Sequence, residues 1–201
     1  MKQIWAALVL GLVPMVPAVA FDDASQAVID RAKVGKLLSI DDVATLMMGA
    51  ERWCYNQQDY ECAWSDIYLS TDADGATFEI SHPWSDAVDI AFVSEGVFRD
   101  GRYICENAYN WVPSVRAYER GDGWALEGRE LAALKAEIAE TVDTSDDHAC
   151  FDYIYRGHDR DEETITLLQR DYAGPDGNVL GEATVTLHFN RDTADELGWY
   201  F

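Results

Sequence analysis

Positive charge is what this sequence has least of: 15 lysines and arginines stand against 37 aspartates and glutamates, a formal net charge of −22. A surface of that sign repels nucleic acid and anionic membrane faces, so neither is expected as a partner. Catalytic signatures are missing as well. The chain has no GxSxG, HExxH, Walker A, CxxC or GxGxxG pattern, which argues against the hydrolases, zinc proteases, nucleotide-dependent enzymes and thiol oxidoreductases that use them. An enzyme is not ruled out, because carboxylate-based sites leave no linear motif. No Pro/Ser-rich or Gly/Ser-rich linker divides the chain, and 48% hydrophobic residues suffice for a core, so a single domain is expected.

Long apolar runs are also absent. The one candidate, Ile4 to Val13, is too short to span a bilayer comfortably and is broken by Pro14 and Pro17. With Lys2 before it and Ala18-Val19-Ala20 behind, it has the layout of a signal peptide, and cleavage is expected after Ala20. Losing Lys2 leaves 14 basic against 37 acidic residues, a net charge of −23, in a domain running from 21 to 201. The expected location is extracytoplasmic, either periplasmic or secreted. The four cysteines, Cys54, Cys62, Cys105 and Cys150, all lie in that part. An even count behind a leader favours two disulfides. Three pairings are possible, and the closeness of the first two favours Cys54–Cys62 with Cys105–Cys150. With no CxxC pair, a zinc site is disfavoured.

From Ser39 onward Val43, Leu46, Met47, Ala50, Trp53 and Cys54 recur at helical spacing, placing Trp53 and Cys54 on the buried face of a helix. An earlier helix is expected over 22–36. Trp53 to Trp64 reads as a disulfide-closed corner with both tryptophans packed over the bridge. Strands are expected at 67–70, 76–82, 87–93, 97–99, 102–105, 114–120, 124–127, 149–156, 163–172 and 179–189. Asp-Gly pairs at Asp74, Asp100, Asp122 and Asp176 supply turns. Arg129 to Val142 has one apolar stripe, Leu131, Leu134, Ile138 and Val142, and should lie on the sheet. The fold class expected is α+β: a mainly antiparallel sheet of six to eight strands with one packed amphipathic helix and a helical N-terminal segment, disulfide-stabilised. Both halves read as helix, cysteine, then antiparallel strands, a pattern that chance explains as well as duplication does.

The ending Gly198-Trp199-Tyr200-Phe201 resembles that of bacterial outer-membrane barrels. Four cysteines, two patterned helices and strands that read as too short argue for the simpler reading, aromatics docked on a soluble core.

Among candidate sites, Asp143, Asp146 and Asp147 follow a helix C-terminus, where a bound cation such as calcium would relieve the dipole conflict. No other cofactor is expected. Asp72-Ala73-Asp74-Gly75 fails as an EF-hand loop and reads as a hairpin turn. His148 and His158 flank one strand and would sit roughly 33 Å apart at about 3.3 Å per residue, too far to share a metal. His188 reads as a surface or hydrogen-bonded histidine and His82 as part of a turn. The aromatics point to an interaction surface at Trp111 and Trp84, Trp111 being the one expected to be most exposed. The leading functional expectation is an exported, non-catalytic acidic binding domain that selects a cationic partner, such as a basic protein or peptide. The alternative is an extracytoplasmic enzyme or small-ligand binder whose carboxylate- and Trp-lined pocket lies between helix and sheet.

Overall fold

The structure, a computed structural model, describes residues 20–107, 110–141, 149–175 and 177–200. The expected leader before Ala20, His148 and the Asp143, Asp146 and Asp147 cluster lie outside the described residues. In chain order the elements are α1 (Asp23–Arg31), α2 (Ile40–Gly49), β1 (Arg52–Tyr55), β2 (Glu61–Cys62), β3 (Trp64–Thr71), β4 (Gly75–Ser85), β5 (Val88–Arg99) and β6 (Tyr103–Glu106). They continue as β7 (Arg116–Glu119), α3 (Gly128–Thr141), β8 (Cys150–Asp159), β9 (Thr164–Tyr172), β10 (Val179–His188), α4 (Arg191–Glu196) and β11 (Gly198–Trp199).

The antiparallel strands form a closed barrel, not an open sheet. β1, β3, β4, β5, β6, β8, β9 and β10 each pair with the next, and β10 pairs back to β1. This is the eight-stranded meander, which removes its own edges by closure. The long strands exceed expectation: β4 has 11 residues, β5 has 12 and β8 has 10, because the segments read as 87–93 and 97–99 are one continuous strand. Inward positions are largely apolar, as with Ile165 and Leu167 on β9 and Val185 and Leu187 on β10. Charged residues such as Arg170, Glu182 and Glu79 stand on the outward parity of the same strands. Barrels that face lipid have the reverse pattern. No helix among the described residues is long and apolar enough to cross a membrane.

Two helices plug one end of the lumen. Val28 and Ile29 of α1 and Val43, Leu46 and Met47 of α2 are buried in one cluster with Trp53, Tyr155 and Leu187. Ser39 caps α2 by accepting from the Asp42 amide. The helix stops at Gly49, however, so Trp53 and Cys54 lie on β1 instead of a helical face. On a strand, neighbouring side chains point to opposite sides. Trp53 therefore enters the core against Tyr68 and Tyr153, while Cys54 faces outward to Cys62 and Leu197. The tryptophan beside that disulfide is Trp199 and not Trp53 or Trp64. The C-terminal aromatics do dock on the body: Trp199 Nε1 donates to Ser65 Oγ and the Tyr200 hydroxyl to the Asn56 carbonyl.

At the other end, the β4–β5 hairpin continues past the ring and gains β7. Its inner face is covered by Leu134 and Ile138 of α3 together with Val112 and Val115. The expected helix therefore packs on this extension. The Asp72 turn is a plain hairpin, with Asp72 Oδ1 accepting from the amides of Asp74 and Gly75.

Both disulfides pair as expected. Each anchors one of the four-residue strands of the ring, β1 and β6. The β6–β8 seam has two paired positions, and one of them is Cys105 opposite Cys150. Beside it Asp152 of β8, fully buried, accepts from Arg102 next to β6, from Arg170 of β9 and from the Tyr172 hydroxyl. Further along β8, where β6 has ended, the segment 35–38 takes the free edge: Gly35 and Leu38 donate to the carbonyls of Tyr155 and Tyr153. Replacing Cys105 and Cys150 by serine is expected to lower stability by up to about 4 kcal/mol, against about 2.5 for the Cys54–Cys62 pair, on loop-closure entropy. Denaturant titration measures both. Amide exchange in the Cys105–Cys150 variant should accelerate first along β6 and β8.

Candidate functional site

The barrel lumen is filled at the helix end and hollow toward the other. A cavity of about 210 Å³ is left among side chains of β1, β3, β4, β5, β6, β8 and β9. Its volume corresponds to roughly seven waters at about 30 Å³ each, below the usual range for drug-sized ligands. Alternation creates the lining. Trp64, Asp66 and Tyr68 share the inner face of β3, Gln169 and Asp171 that of β9, and Phe151 and Tyr153 that of β8. Gly96 contributes by having no side chain: a Cβ there would meet Ile104 at 2.5 Å. The sequence expectation is a pocket between helix and sheet; this hollow lies instead inside the barrel, and its lining includes Asp66, Glu106, Asp171 and Trp64.

Asp66 is the anomaly of the lining. It is 5% exposed, Oδ2 accepts from the Tyr55 hydroxyl at 2.8 Å, and Oδ1 is buried with no partner among the described residues. Burial pushes its carboxyl up to about 7; the Tyr55 hydrogen bond opposes that rise and the charge of Glu106 adds to it. Burial likewise raises the hydroxyls of Tyr55, Tyr68 and Tyr153, each also disfavoured as an anion by Asp66. These hydroxyls are donors, not nucleophiles. Gln169 Nε2 donates to Asp171 Oδ1 at 2.9 Å, and Tyr55 stacks on Trp64 with ring centres 4.6 Å apart. Three carboxylates (Asp66, Glu106 and Asp171) line the cavity, and no lysine, arginine or histidine is in the described lining.

The residues singled out from sequence lie elsewhere. Trp84 and Trp111 come together in the cluster under α3, where the Trp84 indole donates to Glu137 and Trp111 stacks on Phe92 at 4.0 Å. Trp111 is half-buried; the most exposed tryptophan among the described residues is Trp124, at 71%. Of the two readings of His188, surface or hydrogen-bonded, the structure gives the second: the ring is buried, with Nε2 against Gln57 Oε1 at 2.9 Å. No group of three His, Cys, Asp or Glu residues among those described is arranged to hold a metal. Asp66 was readable in principle. Beginning the third strand at Trp64 instead of Ile67 puts Trp64, Asp66 and Tyr68 on one face, an acid within an aromatic stripe.

Asp66 and His188 have opposite linkage to pH. The native Asp66 holds its proton where the unfolded chain, near 3.8, has lost it. Its contribution is therefore full below pH 3.8 and is lost as pH rises through about 7. Asp66→Asn is expected to gain up to about 4 kcal/mol relative to the parent at pH 8, with the gain shrinking toward pH 4. Urea titrations at the two pH values check it. Burial, with help from Arg52, pushes His188 down to about 4, so its contribution is full above 6.5 and is lost as pH falls toward 4. NMR at pH 5 should find the His188 ring neutral.

Searches against protein-family models, characterised proteins and solved structures returned no match for this chain.

Proposed function

We propose that the protein is an exported, non-catalytic binding barrel that holds one compact small molecule in its lumen. One observation carries this reading: a partly hollow lumen whose buried Asp66 leaves a carboxylate oxygen without a hydrogen-bond partner among the described residues. An unpartnered buried oxygen costs about 1–3 kcal/mol, more when charged, and a ligand that donates to it removes the cost. Eight strands is also the barrel size at which interior side chains either fill the lumen or leave room for one small ligand. The lining pairs apolar and aromatic walls with a few polar groups, the usual make-up of a ligand pocket. Two disulfides fit the oxidising, extracytoplasmic location expected of an exported protein.

A basic protein or peptide on the outer surface is the second reading. It draws on the net charge of −22 and would be weakened by salt.

A fragment screen by NMR on the oxidised chain tests the lumen. Fragments that bind should shift the Trp64 indole signal and the methyl signals of Ile80 and Ile104 together. Shifts confined to outward-facing residues, or none at all, would sink the reading.

A further inference from the structure

We propose that the lumen selects a compact organic ammonium ion, with its protonated amine held against Asp66 and its apolar body among the aromatic rings. This rests on the reading of the lumen as a ligand site and adds the chemical class of the ligand.

The same protein treats its other buried aspartate among the described residues differently. Asp152, fully buried, is met by two arginines and a tyrosine hydroxyl. Asp66, buried to nearly the same degree, lines the cavity; it receives one tyrosine hydroxyl, and its second oxygen has no partner among the described residues. A buried carboxylate is stable when paired and hydrogen-bonded. At Asp152 the fold supplies the cation. At Asp66 it supplies space, and around that space stand Glu106 and Asp171 with no basic side chain in the described lining. An incoming cation would meet acids on three strands and a carboxyl with one oxygen unpartnered among the described residues.

Size and shape narrow the class. A cavity of about 210 Å³ admits one ring or a short chain, not an extended peptide. The acids come from β3, β6 and β9, different sides of the ring, and no described trio is arranged to grip a metal. An ammonium head with a hydrocarbon body suits that spread: the head takes Asp66, and the body packs on Tyr68 and Phe78, whose ring faces also favour a nearby cation.

The rival is a neutral ligand whose acceptor takes a hydrogen bond from protonated Asp66. The two have opposite pH dependence. Groups facing Asp66 are Tyr55 of β1, Tyr68 of β3, Glu106 of β6 and Tyr153 of β8, with Asp171 of β9 beyond Tyr153. None of these is a cation at any pH, so among the described residues ionised Asp66 has no positive partner. Because Asp66 takes up its proton near 7, an ammonium ligand should bind more tightly at pH 8 than at pH 6 by about tenfold. A neutral acceptor should show the reverse.

The test titrates the oxidised full chain with three matched probes: 2-phenylethylammonium, 2-phenylethanol and phenylacetate. Calorimetry is run at pH 8 and pH 6, with NMR locating the bound probe. The ammonium is expected to bind at least about tenfold more tightly than the alcohol at pH 8, as a charge-assisted hydrogen bond requires, and the carboxylate most weakly. Asp66→Asn should remove that preference while the variant stays folded by circular dichroism. Should that variant not fold, Asp171→Asn at the same cavity takes its place, with a smaller loss of about threefold from the weaker field. Alcohol or carboxylate binding in the lumen as tightly as the ammonium overturns the cation inference and leaves the lumen reading standing. If none of the probes, and no fragment from the wider screen, reaches the lumen, both fall.

Discussion

Closure of the ring depends on its two shortest members. An eight-stranded meander has no edges only if every neighbour pairs, yet β1 and β6 have four residues each. At β6 the ladder to β8 has two paired positions, too few to resist fraying by hydrogen bonding alone. The sequence compensates with three devices at that seam: the Cys105–Cys150 bridge, the Asp152 ion pairs outside it, and the 35–38 segment laid along the rest of the β8 edge. Closure in turn defines the lumen, and the lumen holds the only site in the described structure to which our functional reading appeals. Without the seam the inner faces of β3 and β9 would no longer face each other, and Asp66 and Asp171 would not share a cavity.

The two buried aspartates make an internal comparison. Asp152 sits on the outward parity of β8, where the long side chains of Arg102 and Arg170 fold over it with their guanidinium groups above the rings of Tyr103 and Tyr172. Position explains its solution: outside the barrel there is room for such side chains, and water beyond them. Asp66 is on the inward parity, where an arginine would need most of the cavity to itself. The lumen therefore offers hydroxyls, which are short, and empty volume. The raised carboxyl of Asp66 is the ligand-free answer to the same electrostatic demand that arginine meets at Asp152: where no cation is present, a proton serves.

Much of this architecture was legible because it rests on local signals. Hairpins at Asp74 and Asp100, the capped start of α2 and the apolar stripe of α3 are written in turn residues, caps and periodicity. The cysteine pairing followed from proximity in sequence. Closure was not legible, because β10 meeting β1 joins residues about as far apart in the chain as Tyr55 and Val185, and no local pattern encodes that contact. Trp53 was misplaced for a related reason. Its spacing from Leu46 and Ala50 fits a helix, but Gly49 and the β1 pairing with Leu187 override it. The site was lost by three residues: a strand begun at Ile67 hides Asp66, whereas one begun at Trp64 exposes the parity that makes it exceptional.

That parity also bears on whether the hollow is meaningful. The helix-capped end of the same lumen shows that this chain packs an apolar interior to completion, with Trp53, Leu46, Met47 and Leu187 all fully buried. The opposite end departs from that rule in being at once hollow and acidic. A packing defect alone would leave a dry apolar void. A structural polar group would come with its partners, as Asp152 does. Sequences that otherwise satisfy their own fold break local rules chiefly where function requires it. Asp66, with no counter-charge among the described residues, lines a space the size of a small molecule, and on our proposal the cost of leaving it unpaired is what a cationic ligand would remove.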